Sequence, residues 1–163
     1  VRLSSGTADF IVITVTNSLH GGYVPGALEL VITNGDGYAG GIFISSYYGT
    51  VEFSVKETYS GALASNGSVT KSKPSVVIGR RSGLNVDLFI KVQGQAATKT
   101  SATDTVVRNI QANGSMHYNI GGNSGVAMAQ MLEGSFSDAQ IYSLLDNPYQ
   151  IFQSLSSPIW GPA

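Results

Sequence analysis

Apolar and polar residues alternate along most of this chain with a period of two, the spacing of strands with one face on a core. In NVDLFIKVQGQ (85–95), Val86, Leu88, Ile90 and Val92 share the face predicted to point inward, and Asp87, Phe89, Lys91 and Gln93 share the other. GGIFISSYYGTVEFSVKE (40–57) reads as a hairpin turning near Gly49, with Val51, Phe53 and Val55 alternating against Glu52, Ser54 and Lys56. ADFIVITVTN (8–17) has Ile11, Ile13 and Val15 on one face and Phe10 and Val12 on the other, which predicts an inner strand. ALELVITNGDG (27–37) is a strand closed by residues that tolerate positive φ, and SVVIG (75–79) is another, after Pro74. DTVVRNIQANGS (104–115) and MHYNIGGNSG (116–125) read as two strands joined near Asn113-Gly114. VAMAQMLEG (126–134) reads as a strand between two glycines, despite its helix-favouring Ala and Met. SGALASNGSVTKSK (60–73) lacks large apolar groups and reads as a surface loop. Short strands at roughly 8–12-residue spacing predict an all-β, two-sheet antiparallel sandwich.

One segment breaks the period. In FSDAQIYSLLDNPYQIF (136–152), Ser137 is a good N-cap and Gln140, three residues on, completes a capping box. Phe136 and Ile141 are placed to close a hydrophobic staple, and Ile141, Leu144 and Leu145 form a stripe at helical spacing. Asn147 precedes Pro148, which disfavours further α geometry, so a helix near 138–146 is predicted. So short a helix is unstable alone in water. Its stripe must therefore dock on a sheet.

The order of cap, helix, Asn-Pro-aromatic and Phe resembles the C-terminal signature of concanavalin A-like jelly rolls of the laminin-G type, most closely those of bacteriophage and prophage structural proteins. There a last strand is followed by a Leu-Ser-x-Ala-Glu-Ile-x-x-Leu-like helix and then Asn-Pro-aromatic-x-x-Phe. This chain has Phe136-Ser137-Asp138-Ala139-Gln140-Ile141, then Leu144-Leu145, Asn147-Pro148-Tyr149 and Phe152. LFIKVQGQ (88–95) is similar to the family's Leu-x-Leu-Tyr-Val-Asn-Gly strand and turn, and IGRRSG and YNIGGNSG fall where it often has Ile-Gly strand ends. The resemblance covers residues 75–152, and residues 1–74 match in pattern only. Gln140 stands where the family has Glu, and QSLSSPIWGPA replaces its basic stretch after the last Phe. The resemblance implies a jelly-roll domain over 1–152 followed by a C-terminal extension over 153–163. It further implies a non-enzymatic virion component: a capsid decoration, fibre or tail-associated domain bound to other virion proteins or to its own copies.

Composition narrows the chemistry. The chain has 163 residues, 42% of them hydrophobic and 12% charged, about half the usual charged share of roughly 25%. Such a surface is built from hydroxyls and amides. The net charge of −1 gives no electrostatic footprint for nucleic acid or an anionic membrane. Arg80-Arg81, the one adjacent basic pair, is expected to solvate a loop. With no Cys, disulfides, thiolate metal sites and Cys nucleophiles are excluded. No apolar run is long enough to span a bilayer and no signal-peptide pattern is present, so membrane insertion is not expected. The chain starts at Val1, as a processed or excised part of a longer polypeptide would.

Jelly rolls of this shape include glycan-cleaving enzymes, whose paired carboxyls lie about 5.5 Å apart when retaining and about 6.5–9.5 Å when inverting. Glu52 and Glu57 are five residues apart, an odd separation that sends them to opposite faces, and no Glu-x-Asp or Glu-x-x-Asp occurs. No Gly-x-Ser-x-Gly elbow is present, and His20 and His117 alone make no zinc site. Hydrolysis is not expected. Calcium, common between loops of laminin-G and lectin relatives, has candidate oxygens in NGDG (34–37), chiefly Asp36, and in GGNSG (121–125), where ordinary turns are the plainer reading. Exposed aromatics are the remaining lead. Tyr38, Tyr47 and Tyr48, with Tyr23, sit at turns where rings either stack on a sugar or half-bury against the sheet or a neighbouring subunit. Ile159 and Trp160, between Pro158 and Gly161, are candidates for an intersubunit contact or an outer strand. Two roles follow: a virion structural or adhesion domain, able to touch a host-surface glycan, and alternatively a carbohydrate-binding module, lectin-like and calcium-assisted, of a secreted bacterial protein.

Overall fold

A strand with apolar side chains on both faces must lie inside a sheet that is itself covered on both sides. Strand β1 (Phe10–Thr16) meets that condition, with Phe10, Ile11, Val12 and Ile13 all fully buried. The computed structural model describes residues 4–16, 28–32, 41–47, 50–57, 61–66, 73–110, 116–119 and 125–152. Over these, β1 is followed by β2 (Leu28–Ile32), β3 (Gly41–Tyr47), β4 (Thr50–Lys56), β5 (Gly61–Asn66) and β6 (Ser75–Ser82). Then come β7 (Asn85–Val92), β8 (Thr98–Thr103), β9 (Met116–Asn119), β10 (Val126–Glu133), helix α1 (Asp138–Asp146) and a 3-10 helix at Pro148–Phe152. Sheet I has the order β10-β1-β6-β7-β8 and sheet II the order β5-β4-β3-β2-β9, and every pairing is antiparallel.

The two sheets pack face to face. Phe10, Val12, Val77, Val86, Leu88, Ile90 and Val92 of sheet I meet Ile42, Ile44, Val51, Phe53 and Val55 of sheet II in one core. Phe10 and Phe53 meet edge to face, centroids 6.5 Å apart, the arrangement that ring quadrupoles favour. Phe53 fits because β6 carries Gly79 beneath it: a β-carbon there would lie 2.2 Å from the Phe53 ring. The outward face of sheet I forms a second cluster, in which Ile11, Ile13, Ile78, Phe89 and Met128 are roofed by Ile141, Leu144 and Leu145 of α1. The predicted helix, its capping box and its stripe are all present, and the stripe docks on sheet I. Phe136 packs against the same cluster as Ile141.

Several expectations change. Residues 60–73 do not form only a loop, because 61–66 are β5, paired with β4. Its buried positions are Ala62 and Ala64, too small to announce a strand, and small because the opposite sheet lies close. Residues 104–110 are irregular, and the strand lies before them at 98–103, the edge of sheet I. TKTSAT lacks a large apolar residue because an edge strand is held by backbone hydrogen bonds on one side and is largely solvated. Of 116–125, residues 116–119 form a strand, and 120–124 lie outside the described residues. Phe89 and Asp87 do face outward, but that face lies under α1, so they are 0% and 3% exposed.

The Gly79–Phe53 contact yields a stability test. Gly79→Ala is expected to cost about 1–3 kcal/mol through overpacking, measured by urea denaturation. Phe53→Leu in the same chain should recover part of that loss, since the two changes share one contact. Additive losses would place the strain elsewhere.

Candidate functional site

The register of sheet I sorts its outward face into three rows. Leu132, Ile11, Arg80, Asp87 and Ser101 form the first, Gln130, Ile13, Ile78, Phe89 and Lys99 the second, and Met128, Val15, Val76 and Lys91 the third. From first to third is four residues, about 13 Å at the strand rise. A nine-residue helix is about 13.5 Å long. Helix α1 therefore spans all three rows, and it is tied at both ends.

At its N-terminus the tie is an ionic network. Arg80 Nε donates to Asp87 Oδ2 (2.9 Å), Arg80 Nη1 to the Phe136 carbonyl (2.7 Å), and Arg80 Nη2 pairs with Asp138 Oδ1 (2.7 Å). Lys99 Nζ donates to Asp138 Oδ2 at 3.0 Å and lies 3.7 Å from Asp87 Oδ1, which accepts from Ser101 Oγ at 2.5 Å. Both cations also stand over the Phe89 ring, at 5.2 and 5.3 Å from its centroid. At the C-terminus, Lys91 pairs with Asp146. Asp138 sits where the helix dipole favours a negative charge, whereas Asp146 sits where it does not, and Lys91 offsets that cost.

Arg80-Arg81 is thus not a solvated loop pair. Both residues lie in β6, 9% and 2% exposed, because partners await them there. Arg81 donates through Nε to the Ala8 carbonyl (2.9 Å), through Nη1 to that of Arg108 (2.9 Å) and through Nη2 to that of Gly6 (3.1 Å). Burial, partly offset by Asp9, lowers its pKa from the ordinary arginine value. Burial also opposes the Arg80 charge, but hydrogen bonding and attraction from Asp87, then Asp138, outweigh it and raise that pKa. Every cation of the network already faces a carboxylate or a carbonyl. The network fastens α1 to β6, β7 and β8.

Sheet II presents a different outer face. Ser45, Glu52 and Ser65 lie side by side on β3, β4 and β5, one strand spacing of about 4.8 Å apart. Ser45 and Glu52 are half-buried and Ser65 is exposed. In the next row Phe43, Ser54 and Leu63 are register partners. Phe43 and Ser54 are buried, 8% and 4% exposed, with Lys56 Nζ 5.2 Å from the Phe43 ring centroid, so the open part of this face lies toward β5, where Leu63 is 46% exposed. This face therefore combines two hydroxyls, a carboxylate and an exposed apolar side chain, and none of these polar groups is tied to α1. It can accept and donate hydrogen bonds to a hydroxylated ligand while Leu63 meets a C–H face.

Of the residues singled out in the sequence, Tyr47 ends β3, paired with Thr50 and two positions beyond Ser45. Asp36, Tyr38, Tyr48, Ile159 and Trp160, with Tyr23 and His20, lie outside the described residues. His117 pairs with Val31 in sheet II. Glu52 sits mid-strand and Glu57 lies past the end of β4, exposed, where its charge acts on Arg108. Five residues of strand separate them by about 16 Å, beyond either glycosidase spacing. Among the described residues, no group of three or more His, Asp or Glu is placed to hold a metal ion, and no helix is long and apolar enough to cross a membrane. The Ser45–Glu52–Ser65 row has no signal in the sequence, because it depends on the pairing of β4 with β5, whose inward residues are the small Ala62 and Ala64.

No protein-family model and no curated protein matches the chain. Solved structures do. The binding domain of botulinum neurotoxin DC in complex with rat synaptotagmin II aligns with 88% of this chain and 36% of its own, at 11% identity and a TM-score of 0.59. A structure described under the dependence of botulinum neurotoxin type C cell entry on two ganglioside molecules covers 87% and 36%, at 11% identity and 0.57. The LG1-3 region of the laminin α2 chain covers 85% and 25%, at 13% identity and 0.52. The fold is a concanavalin A-like antiparallel sandwich, similar to that of the laminin region. The chain spans about a third of those toxin structures and a quarter of the laminin fragment.

The network makes the sandwich acid-sensitive in a definite direction. Hydrogen bonding from Lys99, and then from Arg80, lowers the Asp138 pKa, and an Arg108 hydrogen bond lowers that of Asp104 to about 2. A carboxyl depressed by folding stabilises the fold above its unfolded pKa, about 3.9, and that stability is lost as pH falls through the folded value. Urea midpoints should therefore drop between about pH 5 and about pH 2, and Asp138→Asn should reduce the drop. An equal drop in that variant would show that the tie is not electrostatic.

Proposed function

We propose that this chain is a non-catalytic carbohydrate-binding domain that receives its ligand on the outer face of sheet II. The observation that carries the reading is the contrast between the two outer faces. Sheet I is roofed by α1 and its ions are mutually paired, while sheet II presents the Ser45–Glu52–Ser65 row with Leu63 beside it. A row of hydroxyl and carboxylate acceptors suits neutral hydroxylated ligands better than charged ones, which fits a chain with few ionised residues. Tyr47, two positions past Ser45, together with Tyr38 and Tyr48, would supply the rings on which a sugar stacks.

Toxin binding domains described with gangliosides and with a protein receptor share this sandwich, as does the laminin region, which supports a binding role over a catalytic one. These matches add no support for a virion location. A domain of a secreted protein is the reading we adopt, with calcium at Asp36 as an accessory to test rather than a requirement.

A glycan array probed with multivalent protein tests this. Binding is expected to be weak per site, to fall on Glu52→Gln or Ser45→Ala, and to fall again on Tyr47→Ala or Tyr48→Ala. Reducing-end assays on the bound glycans should show no turnover. Binding that survives all four substitutions would remove sheet II from the reading, and an array blank at high avidity would remove carbohydrate. Loss of binding in EDTA would bring Asp36 into the site.

A further inference from the structure

We infer that Trp160 of this chain's own C-terminal segment docks at the open end of the outer face of sheet I, beyond the last turn of α1. Helix α1 ends over the third row, and past it lies a depression of about 170 Å³ lined by Val15, Pro74, Val76 and Leu145, with Lys91 and Gln93 at its rim. Val15 and Val76 belong to the outer apolar cluster but remain only partly buried, so the roof that seals Ile11, Ile13 and Ile78 stops short of them. The depression is smaller than the roughly 300–1,000 Å³ of small-molecule sites. It is on the scale of one large side chain.

The occupant follows from where the chain goes next. Ile151, packed on the same cluster, and Phe152 end the 3-10 helix that begins just after α1, which spans about 10 Å at its rise of roughly 2 Å per residue. Residues 153–159 separate Phe152 from Trp160 and reach about 23 Å when extended. The segment QSLSSPIWGPA carries no charged side chain, so burial of Ile159 and Trp160 is its available contribution to docking. The rim supplies the rest, since the Gln93 amide oxygen can accept from the indole N–H. A tether this short holds the tryptophan at an effective concentration of order millimolar, which favours the chain's own segment over that of a second copy.

Trp160 is the only tryptophan, so intrinsic fluorescence reports it alone. The full chain should show blue-shifted emission and poor quenching by acrylamide, unchanged on dilution. Val76→Glu should shift the emission to the red and raise quenching several-fold. Pro74→Glu, at an exposed lining residue whose change leaves the core intact, should do the same and guards against misfolding of the first variant. Solvent-exposed emission in the parent chain would overturn the inference. So would shielding lost on dilution, which would assign the depression to a second copy, and so would shielding that neither substitution disturbs.

Discussion

Sheet I cannot leave either face in water. Ile11, Ile13, Ile78 and Phe89 on its outer side are fully buried, each worth about 1.5–3 kcal/mol on removal from water. Together that approaches the whole stability of an ordinary domain, about 5–15 kcal/mol. The C-terminal helix is the part of the described chain that meets this demand, and its features are consequences of the task. Its length matches three rows of the sheet, Ser137 and Gln140 start it, Pro148 stops it, and charges at both ends tie it to β6, β7 and β8.

The two sheets differ in how their outer faces are used by the fold. The described ions are concentrated where they fasten elements together: Arg80 under α1, Arg81 beneath the residue 6–8 segment, Arg108 on Asp104. The outer face of sheet II carries instead the weakly charged Ser45–Glu52–Ser65 row. Exposed ion pairs such as Lys91–Asp146 each add at most about 1 kcal/mol. The ion network determines where the helix sits, and the apolar stripe beneath supplies most of the energy.

Much of this was legible in the sequence for physical reasons. Two-sided apolarity in residues 10–13 announced an inner strand, and the period-two run of Val86, Leu88, Ile90 and Val92 announced a core-facing set that the structure places between the sheets. The helix was legible to the residue because cap, stripe and proline are local signals. What escaped were features defined by neighbours distant in sequence. The small Ala62 and Ala64 hid β5, the polar edge strand β8 carries no apolar period to announce it, and Arg80-Arg81 looked solvated because its carbonyl and carboxylate partners come from residues 6–8, 87, 108, 136 and 138. The serine–glutamate row on sheet II was invisible for the same reason, since register is a pairing property rather than a property of one segment.

The central claim is that a ligand meets sheet II because sheet I is closed. Chemical-shift mapping of backbone amides during titration with a neutral oligosaccharide addresses it directly. The account predicts shifts that saturate together around Ser45, Glu52, Leu63 and Ser65, with β1, β6, β7 and α1 silent. Shifts centred on α1 and the outer rows of sheet I, with β3, β4 and β5 unmoved, would contradict it.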